Sequence, residues 1–424
     1  MICTFGRVEA ESGQHKTERS IVIRRYSIGL GLILVAFSGS AAAVKPLNEF
    51  VRDGLLREGV MAYAAPTNNA GRFSLATLQV LEGLQRFVVG FNKLGLNPEL
   101  ARSGIPFLRV VIPSRQQVPS EAATFEKVAA VFGKLRTALR EANATLSGVD
   151  EVEFGVEVNL SQARMDFDGD GIVATNEFLL ASIGRPLGIR ATQPTGQDLV
   201  IRFDSADAVW LKGYTHFLSG VLDILMAYDW TPVWNQCAHL VFSNPEPIPP
   251  IAQHAEVGNR NEMLQIVDFI AALHDMRLEL IQKDGLRDAR DEFRAMISCS
   301  RECWQRVGAE SDDEHEWLPS PTQIGPGGAK ITAQQIEGWQ HVLNELDAIL
   351  QGQKLLPHWR IKAGEGISIE KFVNSPPRLD AVLLIQGSAF IPYLEEGPIS
   401  DQETWRTLTQ PFGPGFAMFA IWSN

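Results

Sequence analysis

Residues 205–228 constrain the fold more than any other stretch of this 424-residue chain. Read at 3.6 residues per turn, Val209, Trp210, Phe217, Leu218, Val221, Ile224 and Leu225 cover nearly every face of one helix. A helix that is apolar all round must be enclosed by other elements or by lipid. Asp223 interrupts this one, and the segment falls short of the roughly 20 apolar residues that a bilayer core requires. It therefore belongs in the middle of a protein core, with other helices around it.

The partners are legible in the same periodicity. Leu75, Leu78, Leu81, Leu84, Val88 and Phe91 recur at three- and four-residue steps, with Ser74 as the expected N-cap. Phe125, Val128, Phe132, Leu135 and Leu139 do the same after Pro119-Ser120. Two further helices carry Met263, Ile266, Ile270, Leu273 and Leu280, then Phe293, Met296, Ile297 and Trp304. Another opens with the capping box Thr332-Ala-Gln-Gln335 and runs through Ile336, Trp339, Leu343, Leu346 and Leu350 to Gly352. Strand signals are short: Phe107–Ile112, Val152–Val158, Leu199–Phe203 and Ala381–Ile385. The expected fold is mainly α, a multi-helix orthogonal or bundle-like architecture with a few short strands and one calcium loop.

Breaks fall at 244–250, with four Pro in seven residues, and at the acidic, then Gly- and Pro-rich stretch 310–328. All nine Trp lie between Trp210 and Trp422. This shift suggests an aliphatic region, residues 44–190, followed by a Trp-rich region, residues 191–424, or one continuous domain made of both. No repeat of 20–50 residues is evident.

The N-terminus reads as an export signal. Arg24-Arg25 precede the apolar run Ile28–Phe37, and small residues lead to an A-x-A site at Ala41 and Ala43. The run is too short to span a bilayer. Cleavage near Ala43 would deliver the chain to the periplasm or the exterior, with no integral membrane span. The whole chain has 38 basic and 50 acidic residues, a net charge of −12. Removing residues 1–43 takes away five basic and three acidic residues, leaving −14. Phosphate affinity needs clustered Lys and Arg, so a nucleic-acid partner is excluded. Four Cys in the chain cannot build a disulfide scaffold. Three remain after residue 43: Cys237 pairs with Cys299 or Cys303, or all three are buried thiols.

Residues 166–177 read Asp-Phe-Asp-Gly-Asp-Gly-Ile-Val-Ala-Thr-Asn-Glu. Hard calcium wants six to eight oxygens, and Asp166, Asp168 and Asp170 supply carboxylates at alternate positions. Gly171 stands where the tight turn needs a left-handed backbone. Ile172 offers its carbonyl, Val173 is the apolar position after it, and Glu177 closes the shell with two oxygens. Four carboxylates this close repel one another without a cation. The pattern resembles the EF-hand calcium loop, which implies Ca2+ as the bound ion and Asp166, Asp168, Asp170, Ile172 and Glu177 as its ligands. Ala174 departs from the family pattern, so any ligand there would be water. Gln162 stands where an apolar residue is usual, and at most a short turn, from Asn159 to Met165, precedes the loop. There is no second loop, since Glu310–Glu316 lacks the central Gly. A lone loop of this kind is similar to the calcium-stapled loops of secreted bacterial proteins and implies a structural or regulatory ion rather than a paired sensor.

Other constellations are weaker. None of the seven His after residue 43 forms a zinc spacing. Asp312-Asp-Glu-His-Glu316 reads as a solvated acidic loop, or as a hold for a surface cation around His315. There is no G-x-S-x-G, P-loop or G-x-G-x-x-G; Gln386-Gly-Ser388 imitates a nucleophile turn but lacks the second Gly. Asp207, Tyr214 and His216 are polar residues on the apolar helix, open to a ligand role or to hydrogen bonds inside a core. The stretch Trp210-Leu-Lys-Gly-Tyr-Thr-His216 is loosely similar to a W-L-x-G-Y-x-H core in uncharacterised secreted bacterial proteins, which implies fold and no activity. Absent motifs favour a non-enzymatic, exported calcium-binding protein with a structural or envelope-interaction role. The alternative is a secreted hydrolase, carbohydrate-active through its Trp-rich half, with calcium as stabiliser.

Overall fold

In a computed structural model of the chain, residues 44–97, 121–174, 177–180, 199–248 and 262–423 are described. The expected strand at 107–112 and the expected export signal at 1–43 lie outside these residues. Two short helices, α1 (Leu47–Asp53) and α2 (Leu56–Ala62), precede the long α3 (Asn69–Lys93). The cap of α3 is Asn68, whose side chain accepts from the Gly71 N–H at 2.8 Å, not Ser74. Ser74 is buried inside the helix, because the amphipathic face continues one turn further back than the Leu pattern alone shows. Next, α4 (Phe125–Leu146) starts at Thr124, whose hydroxyl accepts from Lys127 N–H. The two helices approach closely: a Cβ on Gly83 of α3 would stand 2.7 Å from that of Ala138.

The apolar helix is α5 (Ser205–Met226), started by a reciprocal capping box between Asp204 and Asp207. It lies between α4 and α8 (Gly285–Val307), as its all-round apolar surface demands. Asp223, the charge near its C-terminal end, is 1% exposed and meets Arg136 at 2.8 Å and Arg140 at 3.0 Å, both on α4. Along the chain, α6 (Thr231–Val241) and α7 (Glu262–Asp275) come between α5 and α8. Leu280 is past the end of α7 and bridges to Tyr228 instead. After α8 comes α9 (Ala333–Leu350), with the expected Thr332–Gln335 capping box, then the short helices α10 (Ile369–Asn374), α11 (Ala381–Gln386), α12 (Gln402–Thr409) and α13 (Phe416–Trp422). The fold is mainly α.

The strands form two-stranded pairs. β1 (Val156–Asn159) runs antiparallel to β2 (Val200–Phe203), with Val156 opposite Phe203 and Asn159 opposite Val200. β3 (Arg277–Leu278) pairs with β5 (Leu379–Asp380), and β4 (Glu365–Ile367) with β6 (Leu394–Glu396). Residues 381–385, expected as a strand, are helical. Asp380 accepts from Leu383 N–H at 3.0 Å, and Gly387 ends the turn at φ +99°, so local capping overrides a short apolar run.

One hydrophobic core draws on both sides of residue 190, joining Phe87, Leu135 and Leu139 to Leu218, Leu222 and Ile297. Trp304 and Trp339 are in it, packed on Phe419 at 5.7 and 5.6 Å. Trp359, by contrast, is 76% exposed. Cys237, Cys299 and Cys303 are buried thiols outside any disulfide, so the pairing of Cys237 with either of the others is not formed. Among the described residues no helix is long and apolar enough to cross a membrane.

Candidate metal centre

The β1–β2 pair closes the base of an excursion that carries the Asp-rich loop. After β1 the chain turns over 160–162, fixed by Asn159 Oδ1, which accepts from Ser161 N–H and hydroxyl at 3.1 and 2.6 Å. No helix enters the loop; the turn and an extended segment do so. The loop's two ends pair antiparallel instead: Arg164 bridges Phe178, Met165 N–H donates to Glu177 O at 3.1 Å, and Leu179 N–H donates to Ala163 O at 2.8 Å. Residues 179–180 are helical.

The core anchors this pair. Met165 and Phe167 are buried, and Arg164 N–H donates to Val51 O of α1 at 2.9 Å. On α3, Asn92 donates to Phe167 O at 2.7 Å and Gln85 accepts from Asp166 N–H at 3.2 Å. The loop is therefore held against α1 and α3 by backbone contacts that leave its carboxylates to face one another.

Asp166, Asp168 and Glu177 each place a carboxylate oxygen within 4.8 Å of the others. Asp168 and Glu177 are buried, and Asp166 is half-buried. The loop's own amides point at these groups. Asp166 accepts from Gly169 and Gly171 N–H at 2.6 and 3.1 Å, and Glu177 accepts from Phe167 and Ala174 N–H at 3.0 and 2.7 Å. Gly171 takes φ +84°, the left-handed turn expected of it. Asp170 is exposed and stands outside the converged trio; its Oδ1 accepts from Ile172 N–H at 2.7 Å. The Ile172 side chain is a hydrocarbon and 70% exposed, so its backbone carbonyl is the one ligand atom it offers. The donor set is oxygen alone, a hard set that fits a divalent cation such as calcium.

The polar residues of α5 do not assemble a site. Asp207 belongs to the capping box, Tyr214 stacks on Trp210 at 5.9 Å, and His216 Nδ1 meets Glu292 Oε2 at 2.6 Å. Ser388 follows a helix rather than a strand, with its N–H donating to Gln386 Oε1, so the nucleophile turn is not formed.

A second carboxylate cluster joins Asp204 to Glu310 and Glu316, again with oxygens within 4.8 Å. Asp204 stands more than 100 residues before the other two, so spacing along the chain gives no signal of the cluster. Burial, then the neighbouring Asp204, pushes Glu310 up to about 8. Burial likewise raises Asp204, Glu316 and, most strongly, Asp207. Gln323 donates to Glu310 at 3.3 Å, while Arg202 pairs at the rim with Glu314 at 3.0 Å. Raised to about 8, the Glu310 carboxyl keeps its proton at neutral pH, which relieves its repulsion with Asp204 and Glu316. His315, the centre of the expected surface-cation loop, is exposed with φ 71° and lies on the outer side of this turn.

No family model, curated protein or solved structure matches this chain.

Proposed function

We propose that this chain is an exported calcium-binding protein in which one EF-hand-like site staples a long excursion to the helical core. The observation that carries this reading is the convergence of Asp166, Asp168 and Glu177 at the sequence positions that an EF-hand loop assigns to ligands. Asp170 and the Ile172 carbonyl complete the set.

When bound, Ca2+ supplies positive charge and a multidentate cross-link. The chain's own residues do the rest. Glu177 ties the end of the loop to the amides of Phe167 and Ala174, and Asn92 and Gln85 fix the loop on α3. Neutralising the clustered carboxylates removes a repulsion that otherwise works against this geometry. The role is structural, holding a surface presented outside the cytoplasm to a protein or cell-envelope partner. An affinity in the range of about 10⁻⁴–10⁻³ M suits extracellular calcium.

Isothermal titration calorimetry in chelator-treated buffer tests the reading. Binding of one Ca2+ that disappears in Asp166→Ala and Glu177→Gln is expected. No heat and no change in melting on adding calcium to the metal-free protein would overturn it.

A further inference from the structure

Away from the metal loop, the ends of α3, α4, α5 and α6 enclose a cavity of about 480 Å³. Phe91, Phe132, Met226, Trp234 and Cys237 line it, together with Ile281 from the loop after β3. Its wall is almost wholly apolar. The polar atoms of its aromatic residues are turned outward into bonds of their own. Trp230 Nε1 donates to Leu225 O at 2.8 Å, Trp234 Nε1 to Glu246 O at 3.3 Å, and the Tyr228 hydroxyl to Pro377 O at 3.3 Å. Gln282 is the one amide side chain on the wall among the described residues.

Protein interiors are close-packed, and voids much larger than a water molecule are few. Water does not stabilise this one, because an ordered water needs two to four polar partners and the wall offers almost none. An apolar cavity of about 150 Å³ holds one benzene, so this volume takes an apolar body about three times that size. The cavity also opens outward: Ile281, on its wall, is 58% exposed.

We propose that this cavity is a binding site for one long hydrocarbon chain, the acyl tail of a fatty acid or of a single-chain lipid. The tail lies among the aromatic and thioether side chains. With no hydrogen-bond partner on offer deeper in, the polar head remains at the mouth beside Ile281 and Gln282. The mixture of flat rings with flexible Met226 suits a chain that bends, since a thioether repacks easily around irregular shapes. This site stands independently of the calcium reading.

The probe is cis-parinaric acid, a fluorescent long-chain fatty acid, titrated into the calcium-saturated full chain. Energy transfer from Trp230 and Trp234 reports entry. Expected are saturable, micromolar binding, displacement by palmitate, and no displacement by hexanoate, whose tail is too short to fill the space. A lysophospholipid arm separates the sources: displacement by palmitate alone assigns a free fatty acid, and displacement by both assigns any single acyl chain. Ala129→Phe and Val233→Phe fill the cavity from α4 and α6 and should each weaken binding about tenfold or more, with unchanged circular dichroism. Absence of saturable transfer would overturn the proposal, because the space is then closed or filled by the protein's own chain. Equal displacement by hexanoate, or full binding in both folded variants, would overturn it as well. If neither variant folds, the palmitate and hexanoate arms on the unaltered chain decide.

Discussion

Chelation at the proposed calcium site, the Asp166–Glu177 loop, is the perturbation with the most direct consequence. Asp166, Asp168 and Glu177 hold oxygens within 4.8 Å of each other. At that distance, and at an effective dielectric constant near 20, each pair of full charges repels by roughly 3.5 kcal/mol. The amides of Phe167, Gly169, Gly171 and Ala174 donate to these carboxylates and offset part of this repulsion. What a melting experiment reads is the linkage of binding to folding. At about 10 mM calcium and a dissociation constant of about 10⁻⁴–10⁻³ M, the stabilisation is roughly 1.4–2.7 kcal/mol. For a unit of this size that corresponds to a rise in Tm of about 2–3 °C. Differential scanning fluorimetry with chelator and with added calcium measures it. Asp166→Ala and Glu177→Gln should abolish the rise. Asp170→Ala should reduce it less, because Asp170 is exposed and outside the converged trio. Identical melting with chelator and with calcium would refute the reasoning. So would a full shift in Glu177→Gln.

Three further outcomes follow from other parts of the molecule. Asp223→Ala strands Arg136 and Arg140 beside the core; since both arginines retain some solvent contact, urea denaturation should register a loss of roughly 2–3 kcal/mol, and no change would mean the buried pair is energetically idle. Glu310 has a folded-state value near 8, above its ordinary 4.5, so the folded chain holds that proton more tightly than the unfolded chain does. The stability it contributes is complete below about pH 4.5 and is lost as pH rises through about 8; Glu310→Gln should flatten this part of the Tm–pH profile, and parallel profiles would contradict the assignment. Burial lifts the Cys299 thiol to about 11 and pushes Cys303 up as well, so these two thiols should be slow to react with a thiol reagent in the native state and react together in denaturant, while prompt native labelling of either would contradict their burial.

Residues near one another in the chain made much of this protein legible from sequence. The 3.6-residue periodicity marked α3, α4, α5, α8 and α9, because one apolar face repeats within each helix whatever it packs against. The all-round apolar surface of α5 placed it at the centre, and there it lies between α4 and α8. The Asp-x-Asp-x-Asp-Gly spacing marked the loop, since a turn that curls around one ion takes its ligands from twelve consecutive residues. Packing decided the rest. It set the start of α3 at Asn68, and it gave residues 381–386 a helix because Asp380 caps them while β5 is occupied with β3. It carried the core across residue 190 and placed Trp304 and Trp339 inside. Asp204 meets Glu310 and Glu316, and Phe91 meets Trp234 across the cavity, over separations of more than 100 residues. A local pattern states which face of an element is apolar; only the tertiary structure decides which distant face covers it, and where four helix ends leave a space.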